Sequence, residues 1–470
     1  MKEINVKKEL KEFAKNLYSV LNPDIIDSIG KKHSFSQRKS KLQTPDFIYL
    51  CSLLSSETAH VSLTELCSVL TAHTGISISC EGLNQRFNSN AVNVLREIMN
   101  KILNIQINNQ FLLETEKDFF PRIRILDATS FQLDNSFADI YKGSGGSSNT
   151  SGIKIQLEYD LITGQFLNVY SGSGSENDKT YGTFCISDVK EKDLCIRDLG
   201  YFDMKDFRQI HNKKAFYVSR IKLNSSVYIK SPLPNEFFNG KKKKYSEYKK
   251  IDLESIMNEL EPGETVEIES VYCGRTEKLP ARLICYKLTQ TQLKNRRKKQ
   301  ALLENKKGIK LSQKSRRLSG LNIYITNIPP EIVSFKQVHN LYSLRWQVEI
   351  LFKTWKSIFK IHHCKKIKRE RFECHLYGCL IGILISTSVM FKMRNLLNEK
   401  HRFELSEYKG INMIKIYLRV LLEGIKKGAS KISKVLTHLF SLLKKNGHKS
   451  HKTGYRTSGD ILKTLQSNKV

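Results

Sequence analysis

One stretch constrains this chain more than any other: Val338 to Phe359, reading VHNLYSLRWQVEILFKTWKSIF. It holds no proline or glycine and its apolar residues recur at helical spacing, which predicts one long amphipathic helix. At about 100° per residue, Tyr342, Arg345, Glu349 and Lys356 fall within roughly 60° of one another. Leu344, Val348, Leu351, Phe352, Trp355 and Phe359 share the other side. The helix therefore needs an apolar surface to lie on, and it sets one carboxylate among cations at the border of that surface. A solvated salt-bridge ladder on a core helix has the same pattern, so the flanking sequence has to separate the two.

Residues 1–118 read as helices joined by short polar turns. Ser62-Leu-Thr-Glu65 fits a capping box, Thr74-Gly75 a break, and Ser79 the start of a helix carrying Asn84, Gln85, Arg86 and Asn88. That succession is a helix-turn-helix pattern and predicts a DNA-binding helical domain. From Arg122 the pattern changes. RIRILDATSFQL alternates and reads as a strand; IKIQLEYDLITGQFLNVYSG reads as a hairpin turning at Thr163-Gly164. A helix over 178–189, a strand through DLCIRDLGYFD, a helix over 204–212 and a strand through AFYVSRIKLN follow. Strands in meander order, then strands alternating with helices, predict a mixed α/β fold (α+β mixed) with a helix-covered sheet.

The remaining boundaries follow composition. We place the core at 119–224, an insertion rich in short strands at 225–320, the second part of the core at 321–400, and a helical C-terminal region with a basic tail at 401–470. Within that last region, 412–443 reads as one amphipathic helical segment. The apolar run Leu376–Phe391 suits a buried core helix better than a membrane span, and no membrane partner is expected.

The chain has 78 Lys and Arg against 46 Asp and Glu in 470 residues, a net charge of +32. Such an excess suits a polyanion, most simply nucleic acid. The charge is densest from Lys294 to Arg317, with 11 Lys or Arg and only Glu304 to oppose them. The ten cysteines are spaced irregularly, which argues against a disulfide framework and for reduced thiols in a cytosol. His362, His363, Cys364, Cys374, His375 and Cys379 are zinc-capable residue types, but their spacing fits no usual zinc motif.

Two aspartates stand in strands, where that residue is depleted. Asp127 shares a face with Ile123 and Ile125, and Asp198 follows Leu194, Cys195 and Ile196. Each could simply cap the next turn. Joined with Glu349, they form a set of three carboxylates, the oxygen donors that Mg²⁺ or Mn²⁺ prefers. Paired ions held this way activate the attacking oxygen and stabilise the leaving one in phosphoryl transfer. The cations beside Glu349 make sense if a DNA phosphate lies between them and the metals.

Tyr342, Arg345, Glu349 and Lys356 match Tyr-x2-Arg-x3-Glu-x6-Lys, which resembles the signature of bacterial insertion-sequence transposases of the IS-four family. LDATSF around Asp127, RDLGYFD around Asp198 and YVSRIK (Tyr217 to Lys222) resemble further regions of that family. The resemblance implies an RNase H-like core interrupted by a largely β insertion, with Asp127, Asp198 and Glu349 as catalytic residues and ligands of two Mg²⁺ (or Mn²⁺) ions. It implies double-stranded DNA partners at element ends and target, a homodimer in a synaptic complex, and cut-and-paste transposition by a bacterial, nucleoid-associated protein. Tyr342, Arg345, Lys356, Arg220 and Lys222 are the expected DNA-binding residues. Some relatives hold a flipped base on a tryptophan of the insertion. Here both tryptophans, Trp346 and Trp355, lie on the 338–359 stretch, leaving Tyr272 and Tyr286 as aromatic substitutes. A catalytically inactive DNA-binding derivative and a structure-specific nuclease on the same core are the alternatives.

Overall fold

The computed structural model describes residues 5–38, 40–54, 57–108, 119–145, 150–222, 225–231, 237–242, 247–308, 310, 312–450, 460–462 and 464. In chain order the helices are α1 (Val6–Leu21), α2 (Pro23–Lys32), α3 (Thr44–Tyr49), α4 (Leu63–Thr74), α5 (Cys80–Arg86), α6 (Ser89–Asn108), α7 (Asp178–Phe184), α8 (Met204–Asn212), α9 (Leu253–Glu259), α10 (Gln290–Lys307), α11 (Gln313–Leu318), α12 (Phe335–Ser343), α13 (Trp346–Ser357), α14 (Arg369–His401), α15 (Glu407–Lys427) and α16 (Ala429–Asn446). Among the described residues, twelve strands accompany them. They are β1 (Ile123–Gln132), β2 (Gly152–Asp160), β3 (Phe166–Ser173), β4 (Leu194–Arg197), β5 (Phe216–Arg220), β6 (Val227–Lys230), β7 (Phe237–Phe238), β8 (Lys241–Lys242), β9 (Tyr248–Lys250), β10 (Thr265–Cys273), β11 (Leu279–Lys287) and β12 (Leu321–Thr326). Two compact units divide the chain, one of residues 1–113, 128–176 and 347–455, the other of residues 114–127, 177–346 and 456–470.

The first unit is mainly helical. Ser62 caps α4 through the Glu65 amide, and Gly75 ends that helix at φ +74°, a conformation that costs glycine little. The helix opened by Ser79 is short, seven residues. Arg86 donates to the Phe35 carbonyl at 3.3 Å and the Ser40 hydroxyl at 2.5 Å, while Asn88 accepts from the Ala91 amide at 3.0 Å. Arg86 and Asn88 thus brace this unit internally. Helix α14 runs 33 residues, with Leu376, Leu380, Ile381, Ile383, Leu384 and Ile385 buried, the core helix expected of that apolar run. It packs so tightly that a Cβ at Gly378 would stand 2.2 Å from the Cys51 carbonyl oxygen. Strand β2 lies beside β1 and pairs antiparallel with β3. Asp160 closes their hairpin by accepting from Ile162, Thr163 and the Thr163 hydroxyl. The segment expected as one helix over 412–443 is two helices. Gly428, at φ +97°, separates α15 from α16, because only a residue without Cβ takes that conformation freely.

The second unit is built on a mixed sheet. Strands β1, β4 and β5 run parallel, then β12, β11, β10, β6 and β9 follow antiparallel. Its apolar core gathers Cys195, Phe207, Ile210, Tyr217, Leu283, Cys285, Ile323 and Ile325. The insertion's main strands thereby join the core sheet, since β11 pairs with β12 from Arg282↔Thr326 to Lys287↔Leu321. Helix α7 stops at Phe184, short of the 189 expected, and turns bring Ile186 and Val189 into this core. This mixed sheet, in a chain rich in helices, is the α/β fold class expected. None of the ten cysteines is in a disulfide.

Candidate active site

The register of the parallel strands sets the two aspartates side by side. Leu126 is the partner of Arg197, the last pair of the β1–β4 ladder, and Asp127 and Asp198 are the next residue on each chain. Residues 123–126 are buried on both faces of β1, and Asp127, on the face of Ile123 and Ile125, is half-buried. Asp198 leads into the turn Leu199–Tyr201 with its carboxylate making no capping bond there. The capping alternative therefore does not account for Asp198.

One arginine meets both carboxylates. Arg345 Nη1 donates to Asp127 Oδ2 at 2.8 Å, and Arg345 Nε lies 3.7 Å from Asp198 Oδ1. The Tyr342 hydroxyl donates to Asp198 Oδ1 at 3.1 Å. Burial first, then the Asp198 charge, raises the Tyr342 pKa, so the hydroxyl stays a donor.

The expected single helix is interrupted at this point. Helix α12 ends at Ser343 and α13 begins at Trp346. Between them, Leu344 donates to Leu341 and Arg345 to Tyr342, three-residue bonds that tighten the turn. Leu344, Val348, Leu351, Phe352, Trp355 and Phe359 are each buried. Among the described residues no group of three or more His, Cys, Asp or Glu side chains is assembled as a metal site, and the positive charge at the aspartates comes from Arg345.

Behind Tyr342 stands a polar aromatic stack that sequence reasoning missed. Tyr342 packs on Tyr324 at 5.2 Å between ring centroids; the Tyr324 hydroxyl and His339 Nδ1 are 2.7 Å apart; His339 stacks on Tyr286 at 5.1 Å. Burial, then Arg296 and Arg220, lowers the His339 pKa, which favours the neutral ring. Arg220 stands opposite Tyr324 in the β5–β12 register. Lys222 is exposed, its ammonium 5.7 Å from the Phe202 ring centroid. Tyr286 donates to Gln292, and Tyr272 packs edge-on to Tyr248 at 5.0 Å. The only advance signal of this stack was the aromatic content of the strands.

In the other unit, Glu349 occupies the first turn of α13 and is half-buried. Lys356, near the end of the same helix, donates to the Ser130 carbonyl at 3.0 Å, and burial lowers its pKa. Trp355 is fully buried against Phe166 and Phe352. His375 and Cys379 lie in the core of α14, with His375 Nε2 on the Ile361 carbonyl at 3.2 Å.

Residues 118–385, which include both aspartates, the Tyr–Arg pair, Glu349 and Lys356, match the family described as Transposase DDE domain. The chain belongs to the IS-four family of DDE transposases. It is 49% identical over 460 residues to the transposase for insertion sequence element IS231C of Bacillus thuringiensis subsp. berliner, covering 98% of this chain and 96% of that one. It is 36% identical over 460 residues to the transposase for insertion sequence element IS1151 of Clostridium perfringens, at 98% and 97% coverage. A solved piggyBac transposase synaptic complex with hairpin DNA aligns at a TM-score of 0.47 and 13% identity, over 95% of this chain and 88% of that one. The protein is a DNA transposase, and Asp127, Asp198, Tyr342 and Arg345 form a polar cluster within the matched region.

Proposed function

We propose that the transposase cuts and joins DNA with Asp127, Asp198 and Glu349 as its catalytic carboxylates. The observation that carries this reading is the aspartate pair: two acids, each one residue past the last pair of the parallel β1–β4 ladder, balanced by Arg345. Half-buried acids so close together need a compensating charge, and an oxygen-only donor set suits a hard divalent cation. Asp127, Asp198 and Glu349 would hold Mg²⁺ or Mn²⁺, in our reading two ions, which supply Lewis-acid activation of the attacking oxygen and stabilise the leaving one.

The other side chains bind and orient DNA. Arg345 exchanges its carboxylate partners for a phosphate, in keeping with the bidentate geometry of a guanidinium. Tyr342, kept protonated, steadies Asp198; Lys356, Arg220 and Lys222 neutralise the neighbouring backbone. Water attacks a phosphodiester at each element end and expels the 3′-hydroxyl; that hydroxyl then attacks a target phosphodiester, displacing the target strand's own 3′-oxygen. Two ends must meet, which favours a homodimer in the synaptic complex.

The deciding experiment incubates the full chain with duplexes carrying or lacking the terminal inverted repeats, in Mg²⁺ or Mn²⁺. We expect nicking at the ends in the wild type and none in Asp127→Ala or Glu349→Ala, with binding retained. Binding without nicking by the wild type in either metal would favour an inactive DNA-binding derivative instead, and cutting indifferent to the ends a structure-specific nuclease.

A further inference from the structure

The transposase carries a cationic surface outside the aspartate cluster. Helix α10 opens with a reciprocal capping box between Thr289 and Gln292, and Gly308 closes it at φ +64°. One side is pinned. Arg296 donates to the Ser319 carbonyl at 3.0 Å, the Leu321 carbonyl at 3.2 Å and Asn322 Oδ1 at 2.7 Å, fixing the helix to the start of β12. At about 100° per residue, Lys294, Arg297 and Lys298 lie on the face opposite Arg296, within an arc of roughly 100°. All three are exposed.

That face carries charge that the helix itself does not balance. Glu304 is the one acid in 290–307, and Arg316 from α11 engages it at 3.0 Å. Lys294 has Arg297 three residues on and Lys298 four residues on, spacings at which like charges cost a few tenths of a kcal/mol each. A rigid helix held in unfavourable self-repulsion is preorganised for a polyanion, whose arrival removes the repulsion and releases condensed counterions. Lysine and arginine on an exposed face reach phosphates irrespective of base sequence.

We propose that the Lys294–Arg297–Lys298 face of α10 is a phosphate-binding rail for duplex DNA, engaged without regard to sequence. It rests on the assignment as a DNA transposase but not on the catalytic triad. The test measures binding of full-length protein to an end-bearing duplex and a scrambled duplex of equal length, by fluorescence anisotropy across a salt series. Substituting Lys294→Gln, Arg297→Gln and Lys298→Gln together should weaken both duplexes alike, about tenfold or more near 0.1 M salt. The dependence of log affinity on log salt should become shallower by ~2–3, at about 0.9 per phosphate contact. A charge-keeping variant, Lys294→Arg with Lys298→Arg, should bind like the wild type, and removing repulsion should leave the melting temperature of the triple variant unlowered. Unchanged affinity and slope in the triple variant, or a loss confined to the end-bearing duplex, would overturn the rail. Failure of the wild type to bind either duplex would overturn the DNA-binding premise as well.

Discussion

Arg345 stands on Asp127 at 2.8 Å while reaching toward Asp198 at 3.7 Å. The guanidinium occupies the electrostatic role that a bound cation would take, and its side chain is only 12% exposed. On the proposed assignment, a metal ion would compete with Arg345 for the same carboxylates. Arg345→Gln should therefore gain more thermal stability from millimolar Mg²⁺ than the wild type does, because no cation has to be displaced. Its stability without metal should fall, since the two carboxylates lose their counter-charge. Differential scanning fluorimetry with and without Mg²⁺ reads both effects; equal metal-induced shifts in the two proteins would count against the competition.

The aspartates themselves yield a second expectation. Asp127→Asn and Asp198→Asn keep side-chain size but remove a carboxylate charge that the proposed function assigns to metal binding, so on that assignment end-specific nicking should drop by at least ~10³-fold, a barrier increase of about 4 kcal/mol. Duplex affinity should hold or rise slightly, since each change removes a negative charge beside the DNA. Single-turnover nicking and anisotropy on the same preparations separate the two. Nicking within tenfold of wild type by either variant would remove that residue from the catalytic set.

Much of this site could be read from residue order, because alternation in β1 fixes which side Asp127 takes and helical spacing groups Tyr342 with Arg345. The break at Leu344–Arg345 could not be read. The apolar periodicity runs straight through it, and the change lies in two backbone bonds that shorten from four residues to three. The Tyr286–His339–Tyr324–Tyr342 stack was also hidden, since it brings together β11, β12 and α12 by sheet register, which no local pattern encodes. The charge of α10 was plain in the sequence; which of its arginines faces the sheet was not.

Tyr342→Phe removes one oxygen and keeps the ring packed on Tyr324. Losing the hydroxyl bond to Asp198 should cost about 1–2 kcal/mol of stability, as expected for a bond to a charged acceptor. The pH dependence has a definite sign. Folding raises this hydroxyl's pKa, so its contribution is complete below the ordinary tyrosine value of about 10 and fades as pH climbs through the higher folded value. The stability gap between wild type and Tyr342→Phe, measured by urea denaturation, should stay level from pH 7 to about 9 and narrow above 10. A gap that narrows on the acid side instead would assign the effect to another group.

His375 supplies an acid-side counterpart in the helical unit. It is fully buried on α14, and burial depresses its pKa from the ordinary value to about 4. Because a carbonyl only accepts, Nε2 must carry the proton it donates to Ile361, just beyond the end of α13. The bond to the Ile361 carbonyl, then Glu57, oppose the burial effect, whereas His363 and Arg371 add to it. Below about pH 6.5 the unfolded chain takes up a proton that the folded chain refuses until about 4, so stability is lost as pH falls through that window. The loss should approach 1.4 kcal/mol per pH unit, on the order of 3 kcal/mol in all. His375→Gln should start less stable at pH 7.5, owing to imperfect packing in place of the ring, yet decline less steeply between pH 6.5 and 4.5. Parallel urea denaturation curves for the two proteins across that range would show that His375 does not carry the acid sensitivity.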